Sequence, residues 1–207
     1  NQFEKTSRFV IVDDYEIAGG GLIEESLEDE QSWVREKVQL RNYKWEKSRI
    51  SRQERAEKYS QQPTLVLITG EEDVGKKPTA KALEKQLFNH GRNVYFLGIG
   101  NVLYGIDADI KGTAEENHRE EHLRRLAEVS HIMLDAGSIL VVTAVELTQD
   151  DLDLIKTTVN PGQIQTIWLG ENITTDIDYD LYLPDYEGEE EAAGEVRTLL
   201  EDKGIIF

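Results

Sequence analysis

Gly70, Gly75 and Lys76 stand at the spacing of a phosphate cradle, in Gly70-Glu-Glu-Asp-Val-Gly75-Lys76-Lys77. In a loop of this Walker A form, backbone amides and the lysine ammonium wrap phosphate oxygens. The residue after the lysine is a Ser or Thr whose hydroxyl reaches magnesium. Here that last position is Lys77, and the variable positions hold three carboxylates, Glu71, Glu72 and Asp73. Two like charges about 5 Å apart at an effective dielectric of about 20 repel by roughly 3 kcal/mol before screening, enough for one carboxylate to offset a lysine contact. The loop keeps the outline of phosphate binding and carries opposing charge. Gly70, Gly75, Lys76 and Lys77 are therefore candidate residues of a vestigial nucleotide site, and the glycines with Lys76 still suit a small anion at a helix N-terminus. ATP and magnesium are expected as ligands only if this loop still functions.

The elements that must position the loop read clearly. Apolar strands are expected at 65–69, 94–97, 139–143 and 164–169, and a weaker one at 181–183. Helices are expected at about 78–90, ending at Gly91, at about 114–135, ending near Gly137, from Thr148, and at about 190–202. Strands buried on both faces and separated by helical crossovers specify a parallel sheet between two helix layers, with ligands at the carboxyl ends of the strands. The fold class is α/β, a three-layer α/β/α P-loop nucleoside-kinase-like sheet with a short N-terminal β remnant. That remnant is the pair of short strands within 9–23, too little to make a stable sheet alone. Between it and the sheet lie an acidic stretch, 24–30, and a basic one, 35–58. The basic stretch reads first as a solvated face, with docking against acidic surface as the alternative, and contains the helix-starting capping box Ser51-Arg-Gln-Glu54.

At 207 residues with 39% hydrophobic content, the chain can bury a core without other support. A net charge of −18 opposes nonspecific binding to nucleic acid or to anionic membrane. The absence of cysteine removes disulfides and thiolate metal sites. No apolar run reaches membrane-spanning length and nothing at the start resembles a signal peptide, so a cytoplasmic location is expected. His118 and His122 share an i, i+4 spacing but read as two exposed imidazoles lacking a third ligand, and no metal site is expected. The acidic residues Asp185, Glu187, Glu189, Glu190 and Glu191 suit the start of the last helix, where negative charge meets the helix dipole.

Residues 42–207 resemble adenylylsulfate (APS) kinase. The likeness rests on Asn42-Tyr-Lys-Trp45, Ser51-Arg-Gln-Glu-Arg55, the loop, and Val94-Tyr-Phe-Leu-Gly-Ile-Gly-Asn-Val-Leu-Tyr-Gly105. It continues through Arg119-Glu-Glu-His-Leu-Arg-Arg125, Asp135-Ala-Gly137 and Val141-Val-Thr-Ala144. Separately, residues 7–23 resemble the last strands of the elongation-factor-Tu-like large subunit of sulfate adenylyltransferase. The two resemblances imply three parts: 1–26, the end of a β-barrel domain; 27–63, a charged linker and helix; and 64–207, the APS-kinase-like domain. They also imply partners: upstream GTPase domains of the same polypeptide, a sulfate adenylyltransferase small subunit and a second copy of the domain.

Carried over position by position, the resemblance implies a loss of chemistry. The family's Asp-Gly-Asp-Asn-Val-Arg segment becomes Gly98-Ile-Gly100-Asn101-Val102-Leu103, without its carboxylates and arginine. Its adenine-stacking ring falls near Thr113 or Ala114. Its Asp-Arg-x-Glu-Asn pattern becomes His118-Arg119-Glu120-Glu121-His122. Arg119 and Asn101 remain as substrate-like residues. The family's long basic lid is replaced by a short acidic connection at 170–180, and between Arg125 and Arg197 the basic side chains are His131 and Lys156. Phosphoryl transfer depends on positioning and charge neutralisation, and one lost arginine finger alone costs about 10³-fold to 10⁵-fold. The expectation is a catalytically degenerate domain with no catalytic residues and a structural or regulatory role. The alternatives are an active ATP-dependent kinase with rearranged ligands, in which Asp107 or Asp109 replaces the lost carboxylates, and a non-catalytic sulfonucleotide sensor.

Overall fold

A computed structural model describes residues 8–13, 16–22, 32–109 and 116–207. The chain divides into two compact units, Asn1–Trp33 and Val34–Phe207. In the first, β1 (Arg8–Asp13) pairs antiparallel with β2 (Glu16–Leu22), with a register shift between Ile11 and Val12.

The second unit is organised around β3 (Thr64–Gly70), buried at every position. It pairs in parallel with β5 (Ile139–Thr143) on one side and β6 (Ile164–Leu169) on the other. The outer strands β4 (Val94–Leu97) and β7 (Leu181–Leu183) complete a five-stranded parallel sheet of order β4-β5-β3-β6-β7. Alternation along β3 sends Val66 and Ile68 to one face, where they meet Leu83 and Leu87 of α3 (Lys76–Asn89) and Val196 and Leu200 of α7 (Glu189–Asp202). Leu65 and Leu67 meet Leu126 and Leu134 of α5 (Glu116–Asp135) and Leu152 and Ile155 of α6 (Gln149–Thr158) on the other. The architecture is the three-layer α/β/α fold expected from the sequence. Strands 94–97, 139–143, 164–169 and 181–183 fall where the apolar runs place them. β4 ends in a single turn, α4 (Ile99–Asn101), that runs into a wide π turn, Val102–Ile106. As an outer strand, β4 would leave backbone donors open; the Phe96 amide instead donates to Glu84 Oε1 at 2.7 Å.

Before the sheet lie α1 (Ser32–Lys44) and α2 (Arg52–Tyr59). Ser51 and Glu54 form the expected capping box, with the Ser51 amide donating to Glu54 Oε2 at 2.7 Å and the Glu54 amide to Ser51 Oγ at 3.2 Å. The basic stretch is not only the solvated face expected. Arg41 donates to Glu128 Oε2 at 2.9 Å and to the Thr158 carbonyl at 3.2 Å, and Arg52 donates to Asp135 Oδ1 at 3.3 Å. Trp45 meets His131 edge to face at 4.7 Å. Burial, with Arg41 and Arg52 nearby, holds the His131 imidazole below its ordinary pKa. Two carboxylates and one carbonyl on α5 and α6 thus dock the stretch, a long-range match that charge spacing along the chain does not reveal.

Gln61 joins these parts. Its side chain is fully buried; Nε2 donates to the carbonyls of Asn93 at 2.8 Å and Gly137 at 2.9 Å, and Oε1 accepts from the Asn93 amide at 2.9 Å.

Candidate functional site

The carboxyl end of β3 delivers Gly70 into the loop, and Gly75 starts α3. A side chain on Gly70 would collide with the Leu169 carbonyl oxygen, because β6 runs alongside at that point. Gly75 has φ 81°, the left-handed geometry that lets the chain turn sharply into the helix. Lys76 reaches back across the loop, its ammonium donating to the Gly70 carbonyl at 3.0 Å and to that of Glu71. Burial lowers its pKa, opposed by the carboxylates of Asp73, Glu146, Glu72 and Glu71. Pro78 lies in the first turn of α3, where amides lack helical partners. Lys77 is exposed on the same turn. Gly70, Gly75, Lys76 and Lys77 therefore share one loop of cradle form.

Arg119, on α5, grips Asp151: Nε donates to Oδ1 at 3.1 Å and Nη2 to Oδ2 at 2.6 Å. The same Nη2 reaches the Glu146 carbonyl at 3.3 Å, and the Glu146 amide donates to the Gly70 carbonyl at 3.1 Å. Arg119 is thus linked to the start of the loop through Glu146. Asp151 also belongs to a capping box, accepting from the Thr148 amide at 2.9 Å. Burial raises its pKa, and the bonds from Arg119 and Thr148 more than reverse that. Asn101 is exposed in α4, its backbone amide donating to the Gly98 carbonyl at 2.9 Å. The adenine-stacking position near Thr113 or Ala114 lies outside the described residues.

Asp107 and Asp109, the carboxylates expected as alternative metal ligands, each have a partner, although Asp107 Oδ1 accepts no hydrogen bond among the described residues. Asp107 is buried, with Oδ2 2.5 Å from His122 Nδ1, and Arg125 makes two bonds to Asp109 at 2.5 and 3.0 Å. Arg125 also donates to Glu121, which accepts from Arg124 as well. His122 is accordingly no exposed imidazole, and the His118 Nδ1 atom is buried without a hydrogen-bond partner among the described residues. Sequence reasoning missed the Asp107–His122 and Arg119–Asp151 pairs; the Thr148-x-x-Asp151 capping pattern was the available signal for the second.

A magnesium site finds no fit in this donor set. Lys77 presents an ammonium where a hydroxyl is needed, and the end of β4 offers Gly98 and Gly100. Among the described residues no three His, Asp or Glu side chains converge as a metal would require. Beside the loop lies a cleft of about 640 Å³ whose walls carry Glu71, Asp73, Glu171, Asp185 and Glu189. Such a cleft disfavours a triphosphate on charge alone.

The family model for adenylylsulphate kinase matches residues 62–181, more than half of the chain. The chain belongs to the adenylylsulphate kinase family. An adenylyl-sulfate kinase of Shewanella sp. (strain W3-18-1) is 35% identical over 124 residues, covering 60% of this chain and 60% of the relative. The chain thus spans about three fifths of the length of the curated relatives it matches. A variant of the APS kinase of Mycobacterium tuberculosis superposes with a TM-score of 0.61 at 27% identity, over 68% of this chain and 99% of that one. The same enzyme in complex with AMPPNP and APS gives a TM-score of 0.59 at 24% identity, with the same coverage, a likeness of fold alone.

Proposed function

We propose that residues 64–207 form a non-transferring member of the adenylylsulphate kinase family, with a structural or regulatory role in a sulfate-activating polypeptide. One observation carries this reading: among the described residues no metal-binding set converges at the loop, and Arg119 is already engaged. Lys77, Gly98 and Gly100 supply no metal ligand, and Arg119 is held bidentate by Asp151. Without such a set, and with Arg119 engaged, the transition-state charge lacks its usual balance. The resemblance of residues 7–23 to the end of a sulfate adenylyltransferase large subunit supports an upstream GTPase in the same polypeptide. With it come a cytoplasmic location, contact with a small subunit and pairing of two copies. No helix among the described residues is long and apolar enough to cross a membrane. The test is to mix the protein with ATP, magnesium and APS and follow ADP release. No ADP above background is expected, and turnover comparable to that of ordinary kinases overturns the proposal.

A second reading, an active ATP-dependent adenylylsulfate kinase, is favoured by the family match and by the cradle form that Lys76 maintains through the Gly70 and Glu71 carbonyls. Under it, ADP forms and Lys76→Ala abolishes its formation. Calorimetry at millimolar ATP separates the readings further: no heat of binding removes the second.

A further inference from the structure

The connection at 170–180 and the turn from β7 into α7 both bear on the phosphate loop. Trp168, fully buried in β6, donates its indole N–H to the Asn172 carbonyl at 3.0 Å, and the Tyr182 hydroxyl donates to the Glu171 carbonyl at 2.7 Å. Thr174 and Thr175 tie the same connection to the Glu146 carboxylate at 2.8 Å and the Leu147 carbonyl at 2.7 Å. From this fixed backbone, Asn172 Nδ2 donates to Glu71 Oε2 at 3.1 Å, at the first residue of the loop. At the other end, the half-buried Tyr186 hydroxyl donates to the Val74 carbonyl. Its phenol oxygen stands 3.0 Å from where a side-chain carbon on Gly75 would begin, and Val74 Cγ1 stands equally close to that position on Gly170.

We propose that Asn172 and Tyr186 form a two-point strap that holds the phosphate loop in its cradle shape with no ligand required. The strap goes beyond the non-transferring reading, since it acts whether or not the cleft performs chemistry. It joins residues 101 and 112 positions apart, and it gives the short connection at 170–180 a part to play. A net hydrogen bond worth about 1 kcal/mol slows local opening roughly fivefold.

Hydrogen exchange on the full 207-residue chain without added nucleotide reads this directly. Tyr186→Phe, which removes one oxygen, should speed exchange of the 72–76 amides about fivefold. Asn172→Ala should do the same at 71–73, and the double variant should speed both, with the β3 amides unchanged in all three. Loop exchange equal to the parent in the double variant overturns the strap. Acceleration that includes β3 overturns it too, because the two residues would then support the fold as a whole. Neither result bears on ADP release, so the two proposals fail separately.

Discussion

Glu121, on α5, is held by two arginines. It accepts from Arg124 at 2.7 and 2.8 Å and from Arg125 at 2.7 Å. The Arg124 bonds, working against burial and aided by Arg125, bring its pKa from an ordinary 4.5 to about 2. A carboxyl depressed on folding stabilises the protein fully above its unfolded value, and that contribution is lost as pH falls from 4.5 toward 2. Thermal melts of the parent and Glu121→Gln should therefore differ most near neutrality and converge near pH 2; a pH-independent gap contradicts the assignment. The candidate site was legible only where its residues are contiguous. Gly70, Gly75, Lys76 and Lys77 announce themselves by spacing, whereas Asp107 with His122, or Tyr186 with Val74, are pairs made by topology and leave no local pattern.

Among the elements, the strands were the most readable, because residues 65–68 and 139–142 are apolar runs, and burial is the property a sequence displays best. The docking of α1 and α2 was readable only as an alternative, without its partners. Their charged residues look alike whether they face water or α5, and only the fold brings Glu128 and Asp135 beneath Arg41 and Arg52. Gln61 belongs to the same class: a lone polar residue that turns out to satisfy the backbone between α2, β4 and β5. Gln61→Ala would leave the Gly137 carbonyl and the Asn93 amide unpaired, while the Asn93 carbonyl keeps its bond from the Ile139 amide, at a cost of about 2 to 3 kcal/mol. Urea denaturation should show the midpoint falling with an unchanged slope. A loss under about 1 kcal/mol would mean that water replaces the side chain.

For the molecule as a whole, a net charge of −18 sets a repulsive field between copies, and the parallel sheet leaves two outer strands to manage. Architecture and activity are separable in such a sheet: core contacts across β3 do not depend on what stands at its carboxyl end. At the β4 margin, the bond from the Phe96 amide to Glu84 does locally what the field does at a distance. In about 0.5 M salt, where that repulsion is screened, Glu84→Ala should scatter light sooner than the parent on prolonged incubation. One carboxylate seated on a single amide would then act as a guard against fibre growth, protecting the protein during storage and in the crowded cell.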